Sequence, residues 1–139
     1  MASDPRAFIS FDFDHDEASK NLFVGQGKKD SPTPFTVEDW SSKSALPESQ
    51  WETLIKKKLN ACHLMIVLVG RYTGSAYGVR KEIQFARDCN VPYFGVYVDG
   101  AGSSSTLPTG LSRNRVVTWT WVNVAAGINQ MMTEGKNAR

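Results

Sequence analysis

Apolar residues along this chain fall into two alternating patterns, short uninterrupted runs and longer stretches with helical spacing. Short apolar runs are typical of buried strands, whereas apolar residues repeated every three or four positions are typical of helices. Regular alternation of the two predicts an α/β fold, in which a five-stranded parallel sheet is covered by helices on both faces. The predicted strands are 7–11, 35–37, 64–69, 91–98 and 115–119, and the predicted helices are 16–24, 47–62, 75–90 and 122–134.

Three segments predict details of this sheet. The run from Leu64 to Val69 is apolar throughout, as expected for a central strand that is covered on both faces. The run 35–37 follows Pro32 and Pro34, which cannot donate ladder hydrogen bonds, so we expect a short strand near a sheet edge. Gly25-Gln26-Gly27 predicts the end of the first helix, because glycine commonly follows a helix C-terminus.

The connections that follow the strands are the expected location of a ligand. In parallel α/β sheets, ligands bind beyond the carboxyl ends of the strands, where the connections change direction. Asp12 to Asp16, Gly70 to Ser75 and the loop near Trp40 are therefore expected around one crevice.

Length and composition favour one globular domain and argue against several classes of partner. At 139 residues, 41% of them hydrophobic, the chain can bury a single core, so we expect one domain over 1–139. The net charge is +2 and the longest block of like charge is Lys56-Lys57-Lys58, which argues against nucleic acid as a partner. The longest aliphatic run has six residues, against roughly 20 for a membrane-spanning helix, so no membrane association is expected.

The first residues and the cysteines indicate a cytoplasmic location. No long apolar stretch precedes the first charged residues, so we expect no secretory signal. Cys62 and Cys89 are the only cysteines, and neither has a cysteine or histidine at metal-ligand spacing. We therefore expect two reduced thiols and no metal site.

The acidic run after the first strand has catalytic and structural interpretations. Asp12 and Asp14 could serve phosphoryl transfer, as in haloacid-dehalogenase phosphatases, but that motif requires a hydroxyl residue where this chain has Asp16. A phosphoacceptor receiver domain would need an aspartate at the end of the third strand, where the chain has Val69. The structural interpretation is helix capping by Asp16 and Glu17, which we favour for Asp16.

Other catalytic motifs are not indicated by the sequence. Gly25-Gln26-Gly27 follows a predicted helix, whereas a phosphate-binding glycine loop lies between a strand and a helix. A serine or cysteine hydrolase would need a histidine partner, and His15 and His63 are the only histidines. His63 adjoins the central strand and is more typical of a packing residue.

The clearest anomaly in the helical pattern is a carboxylate on an apolar stripe. Glu82 stands with Val79, Ile83 and Ala86 at the spacing i, i+3, i+4 and i+7, which places all four on one helix face. A charge there must be compensated or used. The structural alternatives are an ion pair with an arginine, or a position at the edge of the stripe that reaches solvent. The functional interpretation is a carboxylate that lines the wall of the pocket, because this helix begins beside 72–75 at the crevice.

Three segments resemble the TIR-like domains of bacterial Thoeris anti-phage systems: Phe8 to Asp16, Leu68 to Thr73 and Val79 to Ile83. The resemblance spans roughly residues 7 to 132 and implies a flavodoxin-like fold, in agreement with the predicted sheet. It also implies cleavage of NAD at the nicotinamide–ribose bond and release of a cyclic ADP-ribose isomer that activates a partner effector. Glu82 matches the catalytic glutamate of the family. Where members often carry Trp directly before the valine, this chain has Gly78, preceded by Tyr77.

The implied chemistry needs one carboxylate, takes NAD as a substrate rather than a cofactor, and uses no metal. Nicotinamide is already a cationic leaving group, so no general acid is required, and Glu82 would stabilise the oxocarbenium-like transition state. Core packing is the structural alternative for the aromatic residues around the crevice, and for Phe11 it is as well supported as function. The expected substrate-binding residues are Phe11, Asp12, Phe13, Asp14, Trp40, Tyr72, Ser75 and Tyr77.

The alternative class is a noncatalytic TIR-like module that assembles with other TIR surfaces. Such an adaptor has no need of a carboxylate on a stripe that faces the crevice, so Glu82 favours the enzyme. Self-association is expected in either case, because related domains often complete their sites by assembling.

Overall fold

Five strands and four helices alternate along the part of the chain that the structure describes. A computed structural model describes residues 4–12, 15–31, 33, 35–38 and 47–138. The strands are β1 (Arg6–Ser10), β2 (Thr36–Glu38), β3 (Leu64–Val69), β4 (Tyr93–Tyr97) and β5 (Val116–Val117). The helices are α1 (Glu17–Asp30), α2 (Glu48–Asn60), α3 (Tyr77–Asp88) and α4 (Trp121–Met131), and a short 3₁₀ turn, Thr73–Ser75, precedes α3.

The strands form one parallel sheet in the order β2-β1-β3-β4-β5. The chain moves from β1 to β2 on one side and then returns to place β3 on the other side of β1. The order therefore reverses between β1 and β3, whose register pairs Ser10 with Val67. The parallel sheet, the edge position of β2 and the central position of β3 confirm the sequence predictions. Ligands of such sheets bind at this reversal, beyond the carboxyl ends of the two strands.

Two apolar layers hold the helices on the sheet. All six residues of β3 are buried, and their side chains alternate between the two layers. Met65, Val67 and Val69 pack in the layer with α2 and α3, whereas the even-numbered residues of β3 pack in the layer with α1 and α4. β1 alternates in the same way, so that Phe8 belongs to the layer of α2 and α3.

The predicted end of α1 at Gly25-Gln26-Gly27 is wrong, because the helix continues to Asp30. Gly27 is buried, and a Cβ atom there would stand 2.9 Å from the Phe35 ring and 3.3 Å from Trp121. The absence of a side chain at Gly27 therefore serves close packing inside the helix rather than helix termination.

The remaining boundaries differ from the prediction at the ends of elements. β5 is only two residues long, and α3 begins at Tyr77 rather than at Ser75, which is the last residue of the 3₁₀ turn. Among the described residues, no helix combines the length and apolarity that crossing a bilayer would require.

A glycine in α4 provides a test of this packing. A Cβ atom at Gly127 would lie 2.5 Å from the ring of Phe94, which is 2% exposed in β4. Overpacking costs about 1–3 kcal/mol and exceeds the gain of about 1 kcal/mol from alanine's helix propensity. Gly127→Ala is therefore expected to lower the melting temperature by several degrees in a thermal unfolding experiment.

Gly25→Ala is the matched control, because Gly25 lies in α1 with nothing within 4 Å of its Cβ position. This variant gains helix propensity without a clash and is expected to raise the melting temperature slightly. Equal melting temperatures for the two variants would contradict the tight contact between α4 and β4.

Candidate functional site

Glu82 lies on the face of α3 that packs against the sheet, as the apolar stripe predicted. Val79, Ile83 and Ala86 on the same face are at most 1% exposed, and Glu82 itself is 7% exposed. Its carboxylate accepts a hydrogen bond from the Ser10 hydroxyl, with 2.6 Å between Oγ and Oε1. The alternative in which Glu82 lies at the edge of the stripe and reaches solvent is therefore wrong.

Ser10 reaches Glu82 because of the pleat of β1. It is the last residue of the strand and stands two positions after Phe8, so it points toward the layer of α2 and α3. Ser10 is fully buried, and a hydroxyl is the only polar group its side chain offers. The hydrogen bond gives one oxygen of this buried carboxylate a polar partner.

Asp12 begins the turn that leads from β1 into α1. Its backbone carbonyl accepts hydrogen bonds from the N–H groups of His15 and Asp16, at 3.2 and 2.8 Å. Its carboxylate lies 2.6 Å from Nδ1 of His15, measured to Oδ2. Asp12 is 7% exposed, so a buried residue contacts His15 through its side chain and both His15 and Asp16 through its backbone.

Tyr72 and His15 form an aromatic pair at the rim of the site. Their ring centroids are 4.4 Å apart with 32° between the ring planes. Tyr72 is 55% exposed, and the Ser75 hydroxyl donates to its backbone carbonyl at 3.1 Å. The pair connects the turn after β1 with the turn after β3, the two connections that the sheet order brings together.

Asp16 occupies the N-cap position of α1, but its side chain makes no capping hydrogen bond. The predicted position of Asp16 at the start of the helix is confirmed, but its carboxylate contacts Thr73 instead of the backbone N–H groups of the first turn. Oδ2 accepts a hydrogen bond from the Thr73 hydroxyl at 3.1 Å, and that hydroxyl accepts one from the Gly70 N–H at 2.8 Å. Asp16 is 1% exposed, and its Oδ1 has no hydrogen-bond partner among the described residues.

Gly70 makes room for this carboxylate. A Cβ atom at Gly70 would collide with the carboxyl group of Asp16. The backbone that directly follows β3 therefore approaches the start of α1 closely because residue 70 lacks a side chain.

Burial raises the pKa of the Asp16 carboxyl above its ordinary value of 3.8. The hydrogen bond from Thr73 lowers this pKa in part, whereas the negative charges of Asp12 and Asp99 raise it further, and His15 lowers it. Desolvation is the largest of these effects.

Two other predicted binding residues, Phe11 and Tyr77, have different surroundings. Phe11 packs against the layer of α1 and α4, with the Lys20 ammonium 5.8 Å from its ring centroid. Tyr77 is 49% exposed, donates a hydrogen bond to Glu48 and lines a cleft of about 540 Å³ on the outer side of α3.

The structure thus places Asp12 in the connection after β1 and Tyr72 in the connection after β3, where Ser75 is hydrogen-bonded to Tyr72. Tyr77 instead contacts Glu48 of α2. Phe13, Asp14 and Trp40 lie outside the described residues, so their roles stay predictions. Among the described residues, no group of three or more histidine, cysteine, aspartate or glutamate side chains could hold a metal ion.

Sequence reasoning missed three participants: Ser10, His15 and Thr73. The alternation of β1 beyond Phe8 could have placed Ser10 on the face toward the helix of Glu82. The partners of His15 and Thr73 depend on loop geometry that local patterns do not report.

A family model for the Thoeris protein ThsB, TIR-like domain, matches residues 8–103. The chain belongs to this family. The matched segment contains Ser10, Asp12, His15, Thr73 and Glu82. A search of curated proteins finds no match.

Two solved structures are similar to this chain. A prokaryotic SEFIR domain superposes with a TM-score of 0.52 at 14% identity, covering 91% of this chain and 95% of that one. A 3-dehydroquinate dehydratase-like protein from Bifidobacterium longum gives a TM-score of 0.45 at 12% identity, covering 91% and 94% of the two chains. The SEFIR likeness supports a flavodoxin-like, TIR-type fold.

The raised pKa of Asp16 predicts a pH-dependent stability difference. Between pH 3.8 and the higher pKa in the folded state, the native protein holds more protons than the unfolded chain. Wild-type stability attributable to Asp16 therefore falls as pH rises through that window. Asn at this position does not titrate and keeps an oxygen for Thr73.

We expect the melting temperature of Asp16→Asn, relative to wild type, to increase from about pH 4 towards pH 7 in thermal unfolding series. The value near pH 4 is the internal control for any steric effect of the amide. A difference that stays constant or shrinks towards neutral pH would contradict the raised pKa.

Proposed function

We propose that this protein cleaves NAD at the nicotinamide–ribose bond and releases a cyclic ADP-ribose isomer as a signal in anti-phage defence. The observation that carries this proposal is the buried Glu82 carboxylate, held by Ser10 beside the carboxyl end of β1. A buried carboxylate at the ligand-binding edge of a parallel sheet is costly for stability and typical of a functional site. Membership of the Thoeris ThsB family supports the defence context.

The reaction suits a site that offers one carboxylate. Nicotinamide is bound to ribose as a pyridinium cation, so it departs as a neutral molecule without being protonated. Positive charge then develops at the ribose C1′ atom, and a nearby fixed negative charge stabilises it. Glu82 supplies that charge in this proposal, while the Ser10 hydroxyl keeps the carboxylate in one orientation.

The rim supplies surfaces for binding the flat rings of NAD. Tyr72 is half-exposed and available for stacking on nicotinamide or adenine, and Phe13 and Trp40 are further candidates. Asp12 and Asp14 are candidates for orienting ribose hydroxyls. Exclusion of water, with adenine folded back, favours a cyclic product over linear ADP-ribose.

The product would act on a separate effector protein of the same defence system. Self-association of TIR-like domains would bring the site to its active form, so phage infection could act by promoting assembly. No bound cofactor is needed, since NAD is the substrate.

A noncatalytic interaction module is the second candidate. Leu22 on α1 and Val122 on α4 are 57% and 73% exposed, and exposed apolar side chains suit contacts with other protein surfaces. Glu82 distinguishes the two candidates, because an interaction module gains nothing from a buried carboxylate. Chromatography of purified protein incubated with NAD, with and without phage-infected extract, tests the enzyme directly. Absence of free nicotinamide under both conditions would favour the module.

Removal of one charge tests the proposed role of Glu82. Glu82→Gln changes little volume, and its amide can still accept the Ser10 hydrogen bond. We expect nicotinamide release to fall by at least ~100-fold, because one transition-state electrostatic contact is lost. Circular dichroism and thermal unfolding should show a folded protein.

Glu52→Gln is the matched control, with the same chemical change on α2. Glu52 lies 3.5 Å from the Lys81 ammonium at the surface, and exposed ion pairs contribute little. Its nicotinamide release should equal that of wild type. Near-normal release by a folded Glu82→Gln protein would remove Glu82 from the mechanism.

Chelation distinguishes NAD cleavage from the phosphatase interpretation of Asp12 and Asp14. Phosphoryl transfer to an aspartate uses magnesium to neutralise the transferring phosphoryl group. Nicotinamide leaves ribose as a neutral molecule, and its departure needs no divalent ion. We expect excess EDTA to leave nicotinamide release unchanged. Inhibition by EDTA that magnesium reverses, together with phosphate release from a simple monoester, would overturn the NAD-cleaving assignment.

A further inference from the structure

Asp12 and His15 form a carboxylate–imidazole pair with one buried and one accessible member. Oδ2 of Asp12 and Nδ1 of His15 are 2.6 Å apart. The side chain of Asp12 is 9% exposed, whereas that of His15 is 47% exposed. A buried carboxylate therefore holds one ring nitrogen while much of the imidazole remains accessible.

This contact determines which ring nitrogen can accept a proton. A carboxylate at hydrogen-bond distance from Nδ1 favours the tautomer in which Nδ1 carries the hydrogen. Nε2 on the other side of the ring then has a lone pair. The carboxylate also stabilises the imidazolium that forms when Nε2 takes up a proton. The Tyr72 ring, 4.4 Å from the imidazole centroid, restricts the orientation of the imidazole.

The pair follows the end of β1, whose last residue holds the carboxylate proposed to drive NAD cleavage. Asp12 follows Ser10 by two residues, which limits their Cα atoms to a separation of about 7 Å. Ser10 contacts Glu82 directly. The carboxylate and the imidazole are therefore attached to the same few residues at the end of β1.

We propose that His15 is the proton acceptor for the oxygen nucleophile that replaces nicotinamide, with Asp12 as its positioning residue. This inference rests on the proposed NAD cleavage. The bond between C1′ and nicotinamide breaks, and its electron pair stays on the nicotinamide nitrogen. An oxygen of water or of a ribose hydroxyl forms the new bond to C1′. Its proton moves to Nε2 of His15, which later releases it to solvent.

The roles of the two groups are chemically separate. Glu82 stabilises positive charge on ribose and is needed whatever attacks C1′. His15 is needed only when the attacking atom must lose a proton, which is true of a hydroxyl or water and untrue of a pyridine nitrogen. Base exchange with an added pyridine therefore separates the two roles.

The test measures two reactions of the full chain with NAD. One is nicotinamide release without additive, and the other is formation of the exchanged dinucleotide in the presence of 3-acetylpyridine. For His15→Gln we expect release to fall by at least ~100-fold, the usual contribution of a general base, while exchange continues at the wild-type rate. Asp12→Asn should reduce release by a smaller factor than His15→Gln does, because the imidazole stays in place but loses its positioning carboxylate. Glu82→Gln should lose both reactions.

Two controls distinguish proton transfer from a structural effect. His63 accepts a hydrogen bond from the Arg6 N–H at the opposite end of the sheet, so His63→Gln should retain both reactions. Added imidazole should restore release to His15→Ala, because it can take up the same proton.

Each outcome bears on the proposal. Undiminished release by His15→Gln, equal loss of both reactions, or failure of imidazole to restore release would overturn the role of His15 alone. A cyclic product in which C1′ is joined to an adenine nitrogen, formed at the wild-type rate by His15→Gln, would also overturn the role of His15. Neither reaction in wild-type protein, with or without phage-infected extract, would overturn the NAD cleavage and this inference with it.

Discussion

The hydrogen bond from Ser10 to Glu82 joins residues that are 72 positions apart in the sequence, and the candidate site is built around it. It requires β1 to end with an inward-facing hydroxyl and α3 to present a carboxylate on its apolar stripe. Both conditions depend on the sheet order, because β3 lies next to β1 and α3 follows β3 after a short connection. The adjacent turns, with Asp12 after β1 and Tyr72 after β3, are positioned by the same strand pair.

Among the residues that the structure describes, three acidic side chains are buried at this one edge of the sheet. Asp12, Asp16 and Glu82 are each at most 7% exposed, and they contact an imidazole, a threonine hydroxyl and a serine hydroxyl respectively. Burying carboxylates beside neutral hydroxyls costs folding free energy. The fully apolar β3 and the two layers around it offset that cost. Carboxylates are thus buried, against the usual preference for apolar side chains in a core, at the edge where ligands of parallel sheets bind.

Features that depend on the spacing of apolar residues within one strand or helix could be predicted from the sequence. β3 and the face of α3 that carries Glu82 follow from the spacing of apolar residues alone, and both are found where expected. Gly27 shows the limit of such reasoning, since the same residue that ends many helices serves here for contact with Phe35. Ser10, His15 and Thr73 escaped prediction because their partners lie on other elements or depend on a particular turn. Only strand register and loop geometry together bring such side chains within hydrogen-bond distance of one another, at 2.6 to 3.1 Å.

The contact between Gly70 and Asp16 has a consequence for how this chain can vary. The carboxyl group of Asp16 occupies the space that a side chain at residue 70 would need, and it is held there by Thr73. The three positions therefore constrain one another as a group, although they lie in two separate connections. A residue larger than glycine at position 70 becomes acceptable only if the side chain at position 16 becomes smaller. The hydroxyl at position 73 would then no longer have the carboxylate to which it donates a hydrogen bond. Across related chains these positions should change together or remain fixed together, which would make them a signature of this loop pairing that is independent of catalysis.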